Sequence, residues 1–279
     1  MSFLQIVVLA VVQGLTEFLP VSSSGHLILV PLLTGWCDQG LALDVAAHVG
    51  TLLAVLTYFW RDIGRMIHGV VQLARGKRDP WAMMVLYLAI GTVPALIVGY
   101  LVDRYAGTSL RSMELIGWTF VIFGIVLYIA DKAGLTVRRL EHLRMGHAVV
   151  IGLAQAIAFI PGVSRSGITM VAGRLMGFER AEAARFSFLL SIPAIMAGGT
   201  WKGLQLAKTG SPEAIHDALL VCGLSALAGF LAIAFLMAWL KRSTFTPFVI
   251  YRLLFGGFLL YLVYVGMSSI STTPIQTCG

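Results

Sequence analysis

The sequence predicts an all-α integral membrane protein: six transmembrane helices plus two re-entrant helical hairpins, arranged as an inverted-topology repeat. Three observations carry that reading. Apolar residues make up 58% of the 279 residues and charged residues only 12%, about half the roughly 25% of a soluble domain, so too little charge remains to cover a soluble surface. The charges cluster, leaving apolar runs near the ~20 residues that a helix needs to cross a bilayer. Two of these runs are interrupted in the middle by Pro, Ser and Gly. Residues 1–279 then form one membrane domain, with a first repeat at 1–140 and a second at 141–279, each a hairpin followed by three spans.

The elements follow in order. Phe3–Phe18, the turn Leu19–Gly25 and His26–Leu33 form the first broken region. Proline removes a donor and glycine allows a tight turn, so two half-helices are expected around Pro20 and Gly25. No Lys or Arg precedes Arg61; a secretory signal wants a basic start, so this segment is expected to remain in the mature chain. Spans follow at Val45–Trp60, Pro80–Val102 and Leu115–Ala130. The second broken region runs Ala148–Ile160, then the turn Pro161–Gly167, then Ile168–Met176. Spans at Phe186–Trp201, Ala218–Leu240 and Leu253–Gly266 complete the chain, and Ser268–Gly279 reads as a disordered outer tail. The shorter spans are expected to be extended by residues such as Arg185 and Arg252, snorkelling or facing protein.

Irregular backbone at membrane depth is tolerated only where protein or a water-filled cavity satisfies it, which favours re-entrant hairpins over plain kinked spans. The two broken regions also match one another. Gln13…Phe18-Leu19-Pro20…Ser22-Ser23-Ser24-Gly25 parallels Gln155…Phe159-Ile160-Pro161…Ser164-Arg165-Ser166-Gly167, and Pro161 follows Pro20 by 141 residues, as Trp201 follows Trp60.

Charge sets the orientation. The loop Arg61–Asp79 carries Arg61, Arg65, Arg75, Lys77 and Arg78, which places it in the cytoplasm. The basic segment Asp131–Gly146 and Lys241-Arg242 then fall on the same side, while the poorer Asp103–Glu114 and Trp201–Asp217 fall outside with both termini. An odd number of spans per repeat inverts the second relative to the first. The net charge of +7 is thereby explained by the positive-inside bias, and nucleic acid is not expected as a partner. Cys37, Cys222 and Cys278 show no metal-type spacing and no disulfide framework; a Cys37–Cys278 pair on the outer face stays open.

Ionisable residues at membrane depth are costly and read as functional. The first hairpin carries Glu17 and His26, the second Arg165. Gln13 and Glu17 lie four apart, on one helix face, and offer oxygen ligands to a divalent metal ion, Mg or Ca, with phosphate oxygens or water completing the shell. The alternative is a plain Glu17–Arg165 ion pair. Each Ser/Gly turn precedes a half-helix, whose free N–H groups make an anion site. Ser22, Ser23, Ser24, Ser164, Ser166 and Thr169 add hydroxyls, at least two of them expected only to cap. Arg165 adds a fork that matches phosphate oxygens. The combination suggests a phosphate or diphosphate handled at the bilayer. His26 is a candidate acid or base. His48 reads as a hydrogen-bonding residue of the bundle, and Arg174, Arg180 and Arg185 as orientation or anionic-lipid contacts.

The segment Gln13-Gly-Leu-Thr-Glu17-Phe-Leu-Pro-Val-Ser-Ser-Ser-Gly-His26, with Pro161-Gly-Val-Ser-Arg-Ser-Gly-Ile-Thr169, resembles the undecaprenyl-diphosphatase family, also called bacitracin-resistance proteins. Its signatures are Glu/Gln-x-x-x-Glu and Pro-Gly-x-Ser-Arg-Ser-x-x-Thr. The likeness extends to Phe186–Leu190 and Ile250-Tyr-Arg252, with Gln13 as an allowed variant of the first position. The resemblance implies a metal-dependent membrane hydrolase that cleaves undecaprenyl diphosphate to undecaprenyl phosphate and phosphate, recycling the carrier lipid for peptidoglycan, with its site open to the outer face of the bacterial cytoplasmic membrane. It implies Glu17 and Gln13 at the metal, Arg165, Ser164, Ser166 and Thr169 on phosphate, and attack by Ser23, His26 or water, with His26 nearest to move the proton. The rival class is a transporter or flippase of a polyprenyl (di)phosphate lipid, which would need a similar cradle. A homodimer is compatible with such a chain, and nothing in the sequence requires one.

Overall fold

A computed structural model describes residues 2–36, 40–105, 112–209 and 212–266. Their regular structure is helical: α1 (Phe3–Phe18), α2 (Ser23–Thr34), α3 (Gly40–Tyr58), α4 (Trp60–Ala74), α5 (Pro80–Tyr105), α6 (Met113–Ala133), α7 (Met145–Ala156), α8 (Arg165–Leu175), α9 (Arg180–Thr209), α10 (Pro212–Leu240) and α11 (Thr246–Tyr261). The tail Ser268–Gly279, Cys37 and Cys278 lie outside the described residues, and with them the readings placed there.

Both broken regions are helix–turn–helix, α1 with α2 and α7 with α8. The six expected spans are matched only in part. Four stretches are long and apolar enough to cross a membrane: Pro80–Val102, Met113–Ala133, Ala214–Leu240 and Thr246–Val265. A fifth counts only if α3 and α4, bent by 79° at their junction, are taken together. The expected span Phe186–Trp201 lies within α9, which does not pass that test. Within it Phe186, Ser187, Phe188, Leu189, Leu190 and Ser191 are all buried, and α9 packs against α3, α5, α8 and α10. A helix walled by protein can carry serines that lipid would penalise.

The sequence reads Arg61–Asp79 as a basic loop, whereas Trp60–Ala74 is helical. Asp62, Met66 and Gly69 are buried on one side of α4, while Trp60, Ile67, Val70 and Leu73 stand exposed among Arg61 and Arg65. Exposed apolar and basic side chains on one helix fit a segment lying in a membrane interface. Its position is pinned by Arg185 of α9, whose Nε and Nη2 donate to the two Asp62 carboxylate oxygens at 2.9 and 2.7 Å. Arg185 therefore faces protein.

Arg174 and Arg180 also serve the scaffold. Arg174 is fully buried and donates to the carbonyls of Asp131, Gly134, Leu135 and Phe178. Arg180 donates to Asp131 Oδ1 at 2.6 Å, and Asp131 Oδ2 accepts the Phe245 amide. One carboxylate thus joins the end of α6, the start of α9 and the start of α11.

Small residues set the closest helix crossings. A side chain at Gly152 of α7 would collide with the backbone carbonyl of Gly91 on α5, and one at Gly14 of α1 would collide with Ala228 on α10. Such glycine contacts let helix backbones pack without a hydrophobic drive between them.

Candidate active site at the paired helix breaks

Each break turns on a serine. Ser22 has φ 74° and Ser164 φ 73°, the non-glycine residues with positive φ among those described. Each begins its half-helix in the same way. Ser22 Oγ accepts the Gly25 amide at 3.4 Å and lies 3.3 Å from Ser24 Oγ; Ser164 Oγ accepts the Gly167 amide at 3.1 Å and lies 3.2 Å from Ser166 Oγ. Both are N-caps, and the N-termini of α2 and α8 start at Ser23 and Arg165.

The two turns touch. Ser166 Oγ donates to the Leu19 carbonyl at 3.2 Å, and Arg165 Nη2 donates to Glu17 Oε1 at 2.6 Å. The other carboxylate oxygen of Glu17 accepts Ser23 Oγ at 2.5 Å and Gln13 Nε2 at 3.1 Å, with His48 Nε2 at 3.8 Å. The ion pair inferred as an alternative to a metal site is present, and it joins the two broken regions. The Glu17 side chain is 5% exposed and that of Arg165 19%, and Arg165 lines the open space beside the pair.

That space is a cleft of about 450 Å³ lined by Glu17, Ser22, Ser23, Ser24, Ser164 and Arg165, within the ~300–1,000 Å³ usual for ligand sites. Four residues named from sequence stand outside its walls. Thr169 Oγ1 lies against the Arg165 and Ser166 carbonyls and 2.7 Å from Ser187 Oγ. Ser166 spans the turns behind the cleft. Gln13 is fully buried beneath Glu17. His26 donates from Nδ1 to the Ser22 carbonyl at 2.7 Å and meets the Tyr251 hydroxyl through Nε2 at 2.5 Å, its ring stacked on Tyr251 and Phe255.

Asp44, His48 and Gln155 also line the cleft, and sequence reasoning gave none of them a role there. His48 Nδ1 donates to the Asp44 carbonyl at 2.7 Å, so in the neutral ring Nε2 presents its lone pair on the Glu17 side. Gln155 occupies the position in the second repeat motif that Gln13 holds in the first, the one signal that could have marked it. Both glutamine Oε1 atoms are buried without a hydrogen-bond partner. No group of three or more His, Cys, Asp or Glu residues able to hold a metal gathers among the described residues.

Two half-helix N-termini, a guanidinium on the cleft wall and a row of hydroxyls around one carboxylate make an anion cradle. The family model of the bacitracin resistance protein BacA matches residues 6–258. The chain belongs to that family. It is 50% identical over 273 residues to undecaprenyl-diphosphatase 1 of Rhodospirillum rubrum, covering 95% of this chain and 97% of the relative. It is 47% identical to the undecaprenyl-diphosphatase of Jannaschia sp., over 95% of this chain and all of the relative. The undecaprenyl-diphosphatase of Desulforudis audaxviator is 49% identical over 90% of this chain and 94% of its own. With its apolar helices, this member of the bacitracin resistance family is a multi-pass membrane protein.

Proposed function

We propose that the chain is a membrane phosphatase that hydrolyses undecaprenyl diphosphate to undecaprenyl phosphate and inorganic phosphate, returning the carrier lipid to cell-wall synthesis and conferring bacitracin resistance. The observation that carries this reading is the 2.6 Å bridge from Arg165 to Glu17 across the two breaks, with Ser23 held on the second carboxylate oxygen at 2.5 Å. An anion that enters the cleft takes Arg165 by its fork and the amides of both half-helices, and Arg165 then neutralises charge on the transferring phosphoryl group. Glu17, freed from its cation, is placed to accept the Ser23 proton as Oγ attacks the terminal phosphorus. The P–O bond to the lipid phosphate breaks, undecaprenyl phosphate leaves, and water resolves the phosphoserine. Ser23 is preferred over His26 because Ser23 lines the cleft while both His26 ring nitrogens are engaged behind it.

A divalent cation fits this donor set. Glu17 and the orphaned Gln13 Oε1 supply hard oxygens of the kind Mg or Ca takes, and diphosphate oxygens and water would fill the rest. Such an ion would stabilise negative charge on the diphosphate as it is cleaved.

The same reading covers topology. The matched serine caps support two inverted repeats, 1–140 and 141–279, in the bacterial cytoplasmic membrane with the cleft open to the outer face. Inverted repeats with broken helices place sites where the halves meet.

Phosphate release from undecaprenyl diphosphate in detergent, with and without chelator, tests the proposal. Metal-dependent release by wild type and none from Glu17→Ala is the expected result. Folded wild type that releases no phosphate with metal supplied would overturn it and put lipid flipping first. Labelled substrate should leave phosphate on Ser23 after rapid quenching; a Ser23→Ala variant with wild-type turnover would exclude serine attack.

A further inference from the structure

The mechanism uses Arg165 and leaves a more deeply placed arginine without a role. Arg252 of α11 is 1% exposed, and no ion pair to it occurs among the described residues. Burying a guanidinium is tolerable only if its donors are satisfied, and here all five are. Nη1 donates to the carbonyls of Pro20 and Val163 at 3.3 and 3.2 Å. Nη2 donates to those of Gly162 and Thr119 at 2.8 and 3.1 Å, and Nε to that of Phe120 at 3.3 Å. The plane sits 5.1 Å from the centre of the Phe120 ring.

Three of those carbonyls belong to the breaks: Pro20 in the first, Gly162 and Val163 in the second. Ser22 follows Pro20 by two residues, and Ser164 and Arg165 directly follow Val163. Thr119 of α6 adds a second tie, since its hydroxyl lies 2.8 Å from the Pro161 carbonyl and 2.9 Å from the Ile116 carbonyl. A backbone interrupted at membrane depth must find partners for carbonyls that a continuous helix would satisfy. One fork supplies them to both turns at once and so fixes the turns relative to each other.

We propose that Arg252, seconded by Thr119, is a positioning residue for the phosphatase reaction, holding the two turns in the register that lets Ser23 and Arg165 reach one phosphoryl group. The inference rests on the hydrolase reading above. It demands arginine: a lysine carries three donors on one tetrahedral nitrogen and cannot meet five carbonyls spread over three segments. Displacements of about 1 Å at reacting groups can cost on the order of 100-fold in rate, and register between two turns is a displacement of that kind.

The test is steady-state phosphate release by wild type, Arg252→Lys, Arg252→Gly and Thr119→Val in detergent, with melting temperature measured on the same samples. Arg252→Lys should lose kcat by about 100-fold while KM moves only a few-fold. Thr119→Val, nearly isosteric and expected to fold even if the arginine variants do not, should lose kcat by roughly tenfold. Added guanidinium should restore part of the Arg252→Gly turnover, and methylammonium at equal ionic strength should not. Wild-type kcat in Thr119→Val, losses that merely follow the unfolded fraction, or a folded Arg252→Lys with kcat within a few-fold of wild type would each overturn the proposal. Inactive wild type would instead overturn the hydrolase reading itself.

Discussion

Glu17 and Arg165 join the two helix breaks at the proposed site, and their burial sets what substitution does. Arg165→Ala removes the phosphate fork and strands a carboxylate that is 5% exposed. Loss of a charge-stabilising donor costs about 10²–10³ in turnover, and an uncompensated buried charge costs roughly 3–5 kcal/mol of stability. Arg180→Ala breaks a pair to Asp131 whose residues do not line the cleft, so it should lower the melting temperature with kcat nearly intact. Equal losses of kcat in the two variants would remove Arg165 from the site. The double variant Glu17→Gln/Arg165→Met should regain much of the stability that Arg165→Ala loses, because neither charge remains, and stay inactive. A melting temperature no better than that of Arg165→Ala would contradict the coupling. At this scale the sequence was informative where a polar residue sat in an apolar run: Glu17, Arg165 and the turn serines stand out for that reason. The direction of each side chain was not readable. His26 is turned from the cleft by Tyr251, 225 residues away, and His48 reaches it because α3 packs beside α1.

The elements divide in a similar way. Both broken regions were legible because Pro, Ser and Gly have strong local consequences. α4 was not, because a run of Arg and Lys reads as a loop unless the spacing of Met66, Gly69 and their neighbours is weighed against it. The packing of α9 was not readable, since burial within a bundle is a property of its neighbours. Helix crossings made through glycine are more demanding than hydrophobic ones, as α5 and α7 illustrate. Gly152→Leu should force these backbones apart and cost at least about 1–3 kcal/mol, seen as a lower melting temperature and less monodisperse protein. Gly257→Leu, where an added carbon meets nothing within 4 Å, should leave both unchanged. Similar behaviour of the two variants would show that the crossing is not tight.

For the whole molecule, the inverted arrangement proposed above makes a prediction about sides. With the native cysteines replaced, Gly76→Cys and Ser243→Cys should react with an impermeant thiol reagent only from the cytoplasmic face, and Ser112→Cys only from the outside. Labelling of Gly76→Cys and Ser112→Cys from the same face would break the arrangement. The basic loops give the proposed orientation its basis, since side preference follows Lys and Arg counts. The number of spans was less so. Hydropathy alone does not separate a helix that faces lipid from one that faces protein, and four to five stretches qualify where six were expected.

The paired serines at φ 74° and 73° have a consequence for how the protein can be improved. An L-residue held there bears about 1–3 kcal/mol of backbone strain, which glycine would not, and a glycine N-cap gives up only a few tenths of a kcal/mol against serine. Ser22→Gly and Ser164→Gly should therefore melt higher than wild type while releasing phosphate more slowly, as each removes a hydroxyl from the cleft wall. A lower melting temperature in both would mean the strain is absent. Selection of this protein for heat resistance alone would drift toward glycine at both turns, and so toward a sturdier molecule with an emptied cradle.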